Sequence, residues 1–244
     1  MRSGNPGTRG CLVLSAVLML AAAAGAAPTR DILIVDTTRP TVYVGMYRAS
    51  QMTEPGWDLF NRSVTWANPA GAPVNTKVWL ATYNGTLNPN YAQERDSIAV
   101  YDYLINTMGF LSQNIHVAHQ STIETANFAG YDLVIYSWTY PRNATNVLNQ
   151  NMPFVTFSAG QSDELGIGDG QEQMHEYRDF AYICDNGHAV TQTYPLGLFT
   201  LQQSMWMDAT GVAGNGRALV NADIPEPATL ALLLAGITVC VRRR

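Results

Sequence analysis

Residues 130–137 read GYDLVIYS, and the fold is decided there. A glycine-led turn and one acid precede four apolar, partly β-branched residues, and a serine closes the run. That is the pattern of a short strand buried on both faces. Downstream, residues 143–150 have the length of a short helix, and residues 154–158 (FVTFS) form the next apolar run. Upstream, residues 122–128 are expected as a short helix and residues 114–118 (NIHVA) as a strand. Residues 96–108 carry Ile98, Tyr101, Ile105 and Met108 at helical spacing, with Leu104 widening the stripe and Gly109 placed to end the helix. Residues 77–83 (KVWLATY) are a further strand. Strands alternating with helices at this spacing imply right-handed βαβ units and a mainly parallel sheet, hence an α/β fold.

Further out, residues 31–38 (DILIVDTT) read as a buried strand running into a polar loop, and residues 41–45 (TVYVG) as a second short strand. Residues 56–67 (GWDLFNRSVTWA) place Trp57, Phe60, Val64 and Ala67 on one face of an amphipathic helix. Residues 68–75, rich in Pro, Gly, Ala and Asn, form a seam between 28–76 and 77–222.

The phrases YDYLINTMGF (101–110), GYDLVIYS (130–137) and MPFVTFSAG (152–160) resemble the class I glutamine-amidotransferase-like and ThuA-like domains. GHAVTQTYPLG (187–197) is similar to the short His-containing segment that follows in such domains. The resemblance spans about 120 residues and implies a three-layer flavodoxin-like sandwich. In those domains a helix like GWDLFNRSVTWA follows the last strand, whereas here it precedes residue 77. Residues 31–75 are therefore either a permuted segment or the remnant of another copy.

Both chain ends read as sorting signals. Arg2 and Arg9, an apolar stretch over residues 11–24 and small residues to Ala27 make residues 1–27 a secretory signal helix, with cleavage expected after Ala24 or Ala26. The other end, 223–244, has three parts. Pro225, Glu226 and Pro227 come first, held extended because each proline fixes φ and lacks an N–H. The uncharged run 228–241 follows, and Arg242, Arg243 and Arg244 close the chain on the cytoplasmic side. As a helix that run is about 21 Å long, short of the ~30 Å hydrocarbon core. The ending resembles the PEP-CTERM sorting signal of Gram-negative bacteria. The resemblance implies an exosortase-type membrane protease or transpeptidase as partner and a transient inner-membrane anchor at 228–241. It also implies delivery to the cell surface or an exopolysaccharide or biofilm matrix. A permanent single-pass anchor is the alternative.

Charge narrows the partners. Of 14 basic residues, two lie in the leader and three in the tail, leaving nine; of 19 acidic residues, Asp223 and Glu226 lie in the tail, leaving 17, a balance near −8 for the exported part 28–222. That argues against nucleic acid. Of the three cysteines only Cys184 lies between the two ends, so no internal disulfide is expected there.

Three chemical readings remain. Thr156, Ser158 and Gly160 have the small-x-nucleophile-x-small spacing of a strand-to-helix elbow, with His188 as the available base. That would make a secreted hydrolase or sugar-modifying enzyme, although the amidotransferase relatives use cysteine at the elbow. Glu172, His175, Glu176 and Asp179 would share one helix face at i, i+3, i+4 and i+7, and could hold a divalent cation. No other cofactor is indicated, since no phosphate-cradling Gly-rich motif is present. His116 and His119 read as loop or core residues. The third reading is a non-enzymatic structural module whose exposed aromatic residues stack on extracellular polysaccharide. Loops 84–91 and 137–143, at the carboxyl ends of two strands, are where a ligand is expected.

Overall fold

The computed structural model describes residues 30–222 apart from Tyr47, Thr139, residues 171–173, Arg178 and residues 204 and 205. The segments read above as a signal helix and a sorting tail, 1–27 and 223–244, lie outside the described residues. Among the described residues no helix is long and apolar enough to cross a membrane.

The molecule is mixed α/β, built on one nine-stranded sheet. Its strands are β1 (Asp31–Asp36), β2 (Thr41–Val44), β3 (Val78–Thr82), β4 (Ile115–His119), β5 (Leu133–Tyr136), β6 (Phe154–Thr156), β8 (Phe180–Ile183), β9 (Gly197–Thr200) and β11 (Gly216–Asn221), in the order β4-β3-β5-β6-β2-β1-β11-β8-β9. A two-stranded sheet joins β7 (Met174–Tyr177) to β10 (Trp206–Ala209).

The first five strands in that order pair in parallel and the rest antiparallel. The expectation of a mainly parallel sheet therefore holds for one half only. Residues 37–40 are too few for a crossover, so β1 and β2 form a hairpin. Antiparallel neighbours need only a tight connection, whereas parallel ones need a dozen or more residues. The segment before residue 77 lies inside the sheet: β2 sits beside β6, with Val42 opposite Val155, and β1 beside β11.

Helices α1 (Glu54–Ala67) and α2 (Glu94–Asn106) cover one face. Thr53 caps α1, Pro55 occupies its first turn, and Leu59, Phe60, Val64 and Ala67 point inward. They pack with Val100 and Leu104 over Val78, Leu80, Leu133, Ile135 and Val155. Burial of Phe60 alone contributes roughly 2–3 kcal/mol. Trp57 and Tyr103 stack at 4.2 Å where the two helices meet. On the opposite face Val134, Tyr136 and Phe154 meet Ile123, Phe128, Leu165 and Val147, the last from helix α3 (Thr145–Asn149). The short helix expected over 122–128 is a 3-10 turn over Gln120–Glu124.

Helix α2 is rotated from its expected orientation. The apolar stripe Ile98, Tyr101, Ile105 and Met108 is only half-buried, whereas Glu94, Ser97, Val100 and Leu104 face inward. Gly109 ends the helical segment at φ +79°, and the Phe110 N–H returns to Leu104 O at 2.9 Å. The rotation brings two polar side chains onto the carboxyl edge of the sheet.

Candidate functional site

At the carboxyl ends of the parallel strands, the chain leaves β3 toward α2 on one face and leaves β5 toward α3 on the other. Neighbouring strands whose connections diverge in this way open a crevice between them, the usual ligand position in an open α/β sheet. Two sets of side chains gather there, one polar and one aromatic.

On the α2 side, Glu94 is fully buried. Its Oε1 accepts from the Asn84 N–H at 2.7 Å and the Thr82 hydroxyl at 3.2 Å. Its Oε2 has no hydrogen-bond partner among the described residues. Ser137 Oγ lies 2.9 Å from Ser97 Oγ and 3.0 Å from Ala81 O, tying the end of β5 to α2 and β3. Asp96 bonds Arg48 Nη1 at 2.9 Å and accepts from the Ser50 N–H at 3.0 Å and the Ser50 hydroxyl at 2.7 Å. The loop after β2 is thereby clamped to the first turn of α2.

On the α3 side the loops expected to bind a ligand carry a run of rings. Tyr83 packs on Trp138 at 4.9 Å, and Trp138 stacks on Tyr140 at 5.8 Å and 28°. Tyr140 is 65% exposed, so its outer face is open to solvent, and Tyr91 on the neighbouring loop is 49% exposed. The run is held from below. The Tyr136 hydroxyl lies 2.6 Å from Tyr140 O and 3.2 Å from Gln120 Oε1, and burial pushes that phenol well above its ordinary pKa. The Gln120 amide donates to Tyr83 O at 3.2 Å. Gln161 accepts from the Thr156 hydroxyl at 2.6 Å and donates to Arg142 O at 2.7 Å, binding the loop after β5 to the loop after β6. The indole N–H of Trp138 and the hydroxyl of Ser158 are buried with no partner among the described residues.

The residues singled out from the sequence fall in different places. Ser158 lies two residues past the end of β6, at the start of a 3-10 turn, but it is fully buried and its Oγ bonds to no histidine. His188 lies elsewhere: its ring meets Trp66 near the end of α1 at 5.0 Å, and its Nδ1 accepts the Val190 N–H at 3.3 Å. Burial, and to a lesser degree the Arg217 cation, hold the His188 pKa below its ordinary value, while Asp185 pulls the other way. Asp185 itself is engaged by Arg217 Nε at 2.6 Å, which keeps its carboxyl low. Ser158 and His188 are not brought together.

The expected helix face of Glu172, His175, Glu176 and Asp179 is corrected. His175 and Glu176 lie in β7, paired opposite Asp208 and Met207 of β10, so helical spacing does not apply to them. A tertiary strand pairing outweighs local helical preference there. Asp179 is exposed beyond the strand, and Glu172 lies outside the described residues. Among the described residues no three His, Cys, Asp or Glu side chains stand close enough to hold a metal ion. Pro225, Glu226, Pro227 and the three terminal arginines also lie outside the described residues. His119 is a local cap, its Nδ1 accepting the Ser121 N–H at 3.1 Å, and Cys184 is a free thiol.

Glu94 and Ser97 were missed from the sequence because the apolar stripe beside them pointed elsewhere. The signal that could have found them is a Glu and a Ser three residues apart directly after a strand-end loop. No known family model matches the chain, and no curated protein or solved structure matches it either.

Proposed function

We propose that this is an exported, non-enzymatic α/β module that contacts extracellular polysaccharide and is sorted to the cell surface or matrix by its C-terminal tail. The observation that carries the glycan half is the Tyr83–Trp138–Tyr140 run on the carboxyl edge, with Tyr140 presenting an open ring face. Sugar rings offer flat C–H faces to such rings, and a ring already stacked from behind loses little conformational freedom on binding. The buried Ser158 hydroxyl and the separate placement of His188 weigh against the hydrolase reading.

The sheet, with α1 and α2 on one face and α3 with its loops on the other, supports a flavodoxin-like three-layer arrangement around its parallel strands. The antiparallel strands β1, β11, β8 and β9 are an addition to that plan. The sorting half rests on the sequence: a positively charged leader, the Pro225-Glu226-Pro227 motif, a short apolar run and Arg242, Arg243 and Arg244. In this reading an exosortase-type enzyme recognises the tail, and 228–241 anchors the chain transiently in the inner membrane.

Each half has its own test. Chains lacking 223–244 should remain in the periplasm or be lost, and unchanged surface delivery would refute the sorting half. For the glycan half, Tyr140→Ala should weaken binding of a neutral glucan oligosaccharide to the purified chain by about tenfold, the loss of one good stacking contact. Equal binding by Tyr140→Ala and the parent chain would refute it.

A further inference from the structure

The opposite edge of the same sheet holds a recess of about 410 Å3. It lies at the amino ends of β3, β4 and β5 and is lined by Lys77, Gln113, Asn114, His116, Gly130 and Tyr131 among others. Its size falls within the range of small-ligand sites, about 300–1,000 Å3.

Its wall is built from rings. Trp79 lies behind, 4.3 Å from the His116 ring and 5.2 Å from the Tyr131 ring, and is steadied by an edge contact with Phe128 at 5.4 Å. The indole N–H of Trp79 is buried with no partner among the described residues.

Its rim is polar. Asn114 Nδ2 donates to Val74 O at 3.0 Å, which fixes the amide and leaves its Oδ1 as an acceptor. Asp132 Oδ2 accepts the backbone N–H of Lys77 at 2.8 Å and so fixes where β3 begins. The Gln113 amide and the Lys77 ammonium are exposed side chains that make no hydrogen bond or ion pair with any described residue. Donors and acceptors around a ring wall suit a ligand with a flat C–H face and a hydroxyl rim.

We propose that this recess is a second saccharide subsite, taking one or two neutral sugar residues of a polysaccharide chain. The choice of a saccharide rests on the reading of the carboxyl edge given above. Neutral sugars are favoured over polyuronates because residues 28–222 carry an excess of about eight negative charges. The two subsites lie at opposite ends of the parallel strands. A five-residue strand such as β3 is about 17 Å long at 3.3 Å per residue. One domain then grips two glucan chains, or two points on one chain, and acts as a cross-link.

The test is titration of the purified full-length chain with cellotetraose, read by calorimetric stoichiometry and by the NMR resonance of the Trp79 indole N–H. The parent chain should bind two equivalents and shift that resonance. Tyr131→Ala should leave one equivalent and an unmoved resonance. Lys77→Met, on an exposed side chain, should weaken the same site several-fold with the melting temperature unchanged. Tyr140→Ala should leave one equivalent that still shifts the resonance.

A single equivalent that survives both Tyr131→Ala and Lys77→Met but is lost in Tyr140→Ala overturns this inference and leaves the carboxyl-edge reading intact. A single equivalent lost only in the first two variants does the reverse. No binding overturns both, and tighter binding of an oligouronate than of cellotetraose overturns the neutral assignment.

Discussion

Removing the carboxylate of Asp96 tests whether α2 is clamped as described. The side chain is 4% exposed and makes three contacts: Arg48 Nη1 at 2.9 Å, the Ser50 N–H at 3.0 Å and the Ser50 hydroxyl at 2.7 Å. Breaking a buried ion pair by deleting one partner costs about 3–5 kcal/mol. Arg48 is 31% exposed at its side chain and can regain water, which places the expected cost at the lower end. Asp96→Ala should therefore cost about 3 kcal/mol. In Asp96→Asn the amide oxygen can still serve both Ser50 donors, but an N–H now faces the guanidinium. That variant should cost about 2 kcal/mol.

For a domain of this size each kcal/mol moves the melting temperature by about 2–4 °C. Asp96→Ala should then melt about 6–12 °C lower than the parent chain. The assay is urea and thermal denaturation of the single variants, and of Asp96→Asn/Arg48→Gln, in which two amides can pair. The double variant should recover part of the loss, giving a coupling energy of about 1 kcal/mol or more. A cost for Asp96→Ala below about 1 kcal/mol, or strict additivity of the two sites, would refute the clamp and with it the assigned orientation of α2.

Three further predictions concern packing and pH. In Gly56→Ala the new Cβ would overlap Leu201 O, so the first turn of α1 must move away from the segment that follows β9; a loss of more than about 3 kcal/mol is expected, and near-parental denaturation would contradict the packing. In Gly160→Ala the Cβ would meet the Pro141 ring at 2.8 Å. The ring and its loop must shift, so oligosaccharide binding at Tyr140 should weaken several-fold at a stability cost of about 1 kcal/mol, and unchanged binding would show that the loop position does not matter. Because the folded chain holds the His188 pKa below its ordinary value, the unfolded chain takes up the proton first. Stability should fall as pH drops below about 6.5, through the interval down to the folded-state value, and be insensitive to this group above it. His188→Gln should flatten that slope in urea midpoints measured between pH 5 and pH 7.5, and an unchanged slope would assign it to another group. Asp185, held low by Arg217, adds its own loss only at more acidic pH.

Most of the parallel half of the sheet was legible because its inner strands are buried on both faces and read as uninterrupted apolar runs, as in residues 133–136, whereas the edge strand β4 is partly exposed. Of the antiparallel strands β1 was legible for the same reason, but β8, β9 and β11 and the separate pair β7 and β10 were not. Strand β9 alternates half-buried and exposed positions at a sheet edge, and the β7 segment carries acids and His175 at a spacing that also suits a helix. The loop carrying Tyr140 was identified from its place after a strand. The recess beside Tyr131 was not, because its lining comes from the approaches to three strands separated by up to 54 residues.

The sequence by itself determined the order of strands and helices between residues 77 and 158, the acidic balance of residues 28–222 and the signal-like character of both ends. These are properties of composition and local periodicity, and they survive whatever the rest of the chain does. Only the tertiary structure decided which face of α2 turns inward, that β2 enters the sheet beside β6, that His188 stays away from Ser158, and that residues 174–177 are a strand. Each of these depends on a partner distant along the chain. A strand edge, a carboxylate or a ring stack supplied from elsewhere outweighs local propensities worth only tenths of a kcal/mol per residue.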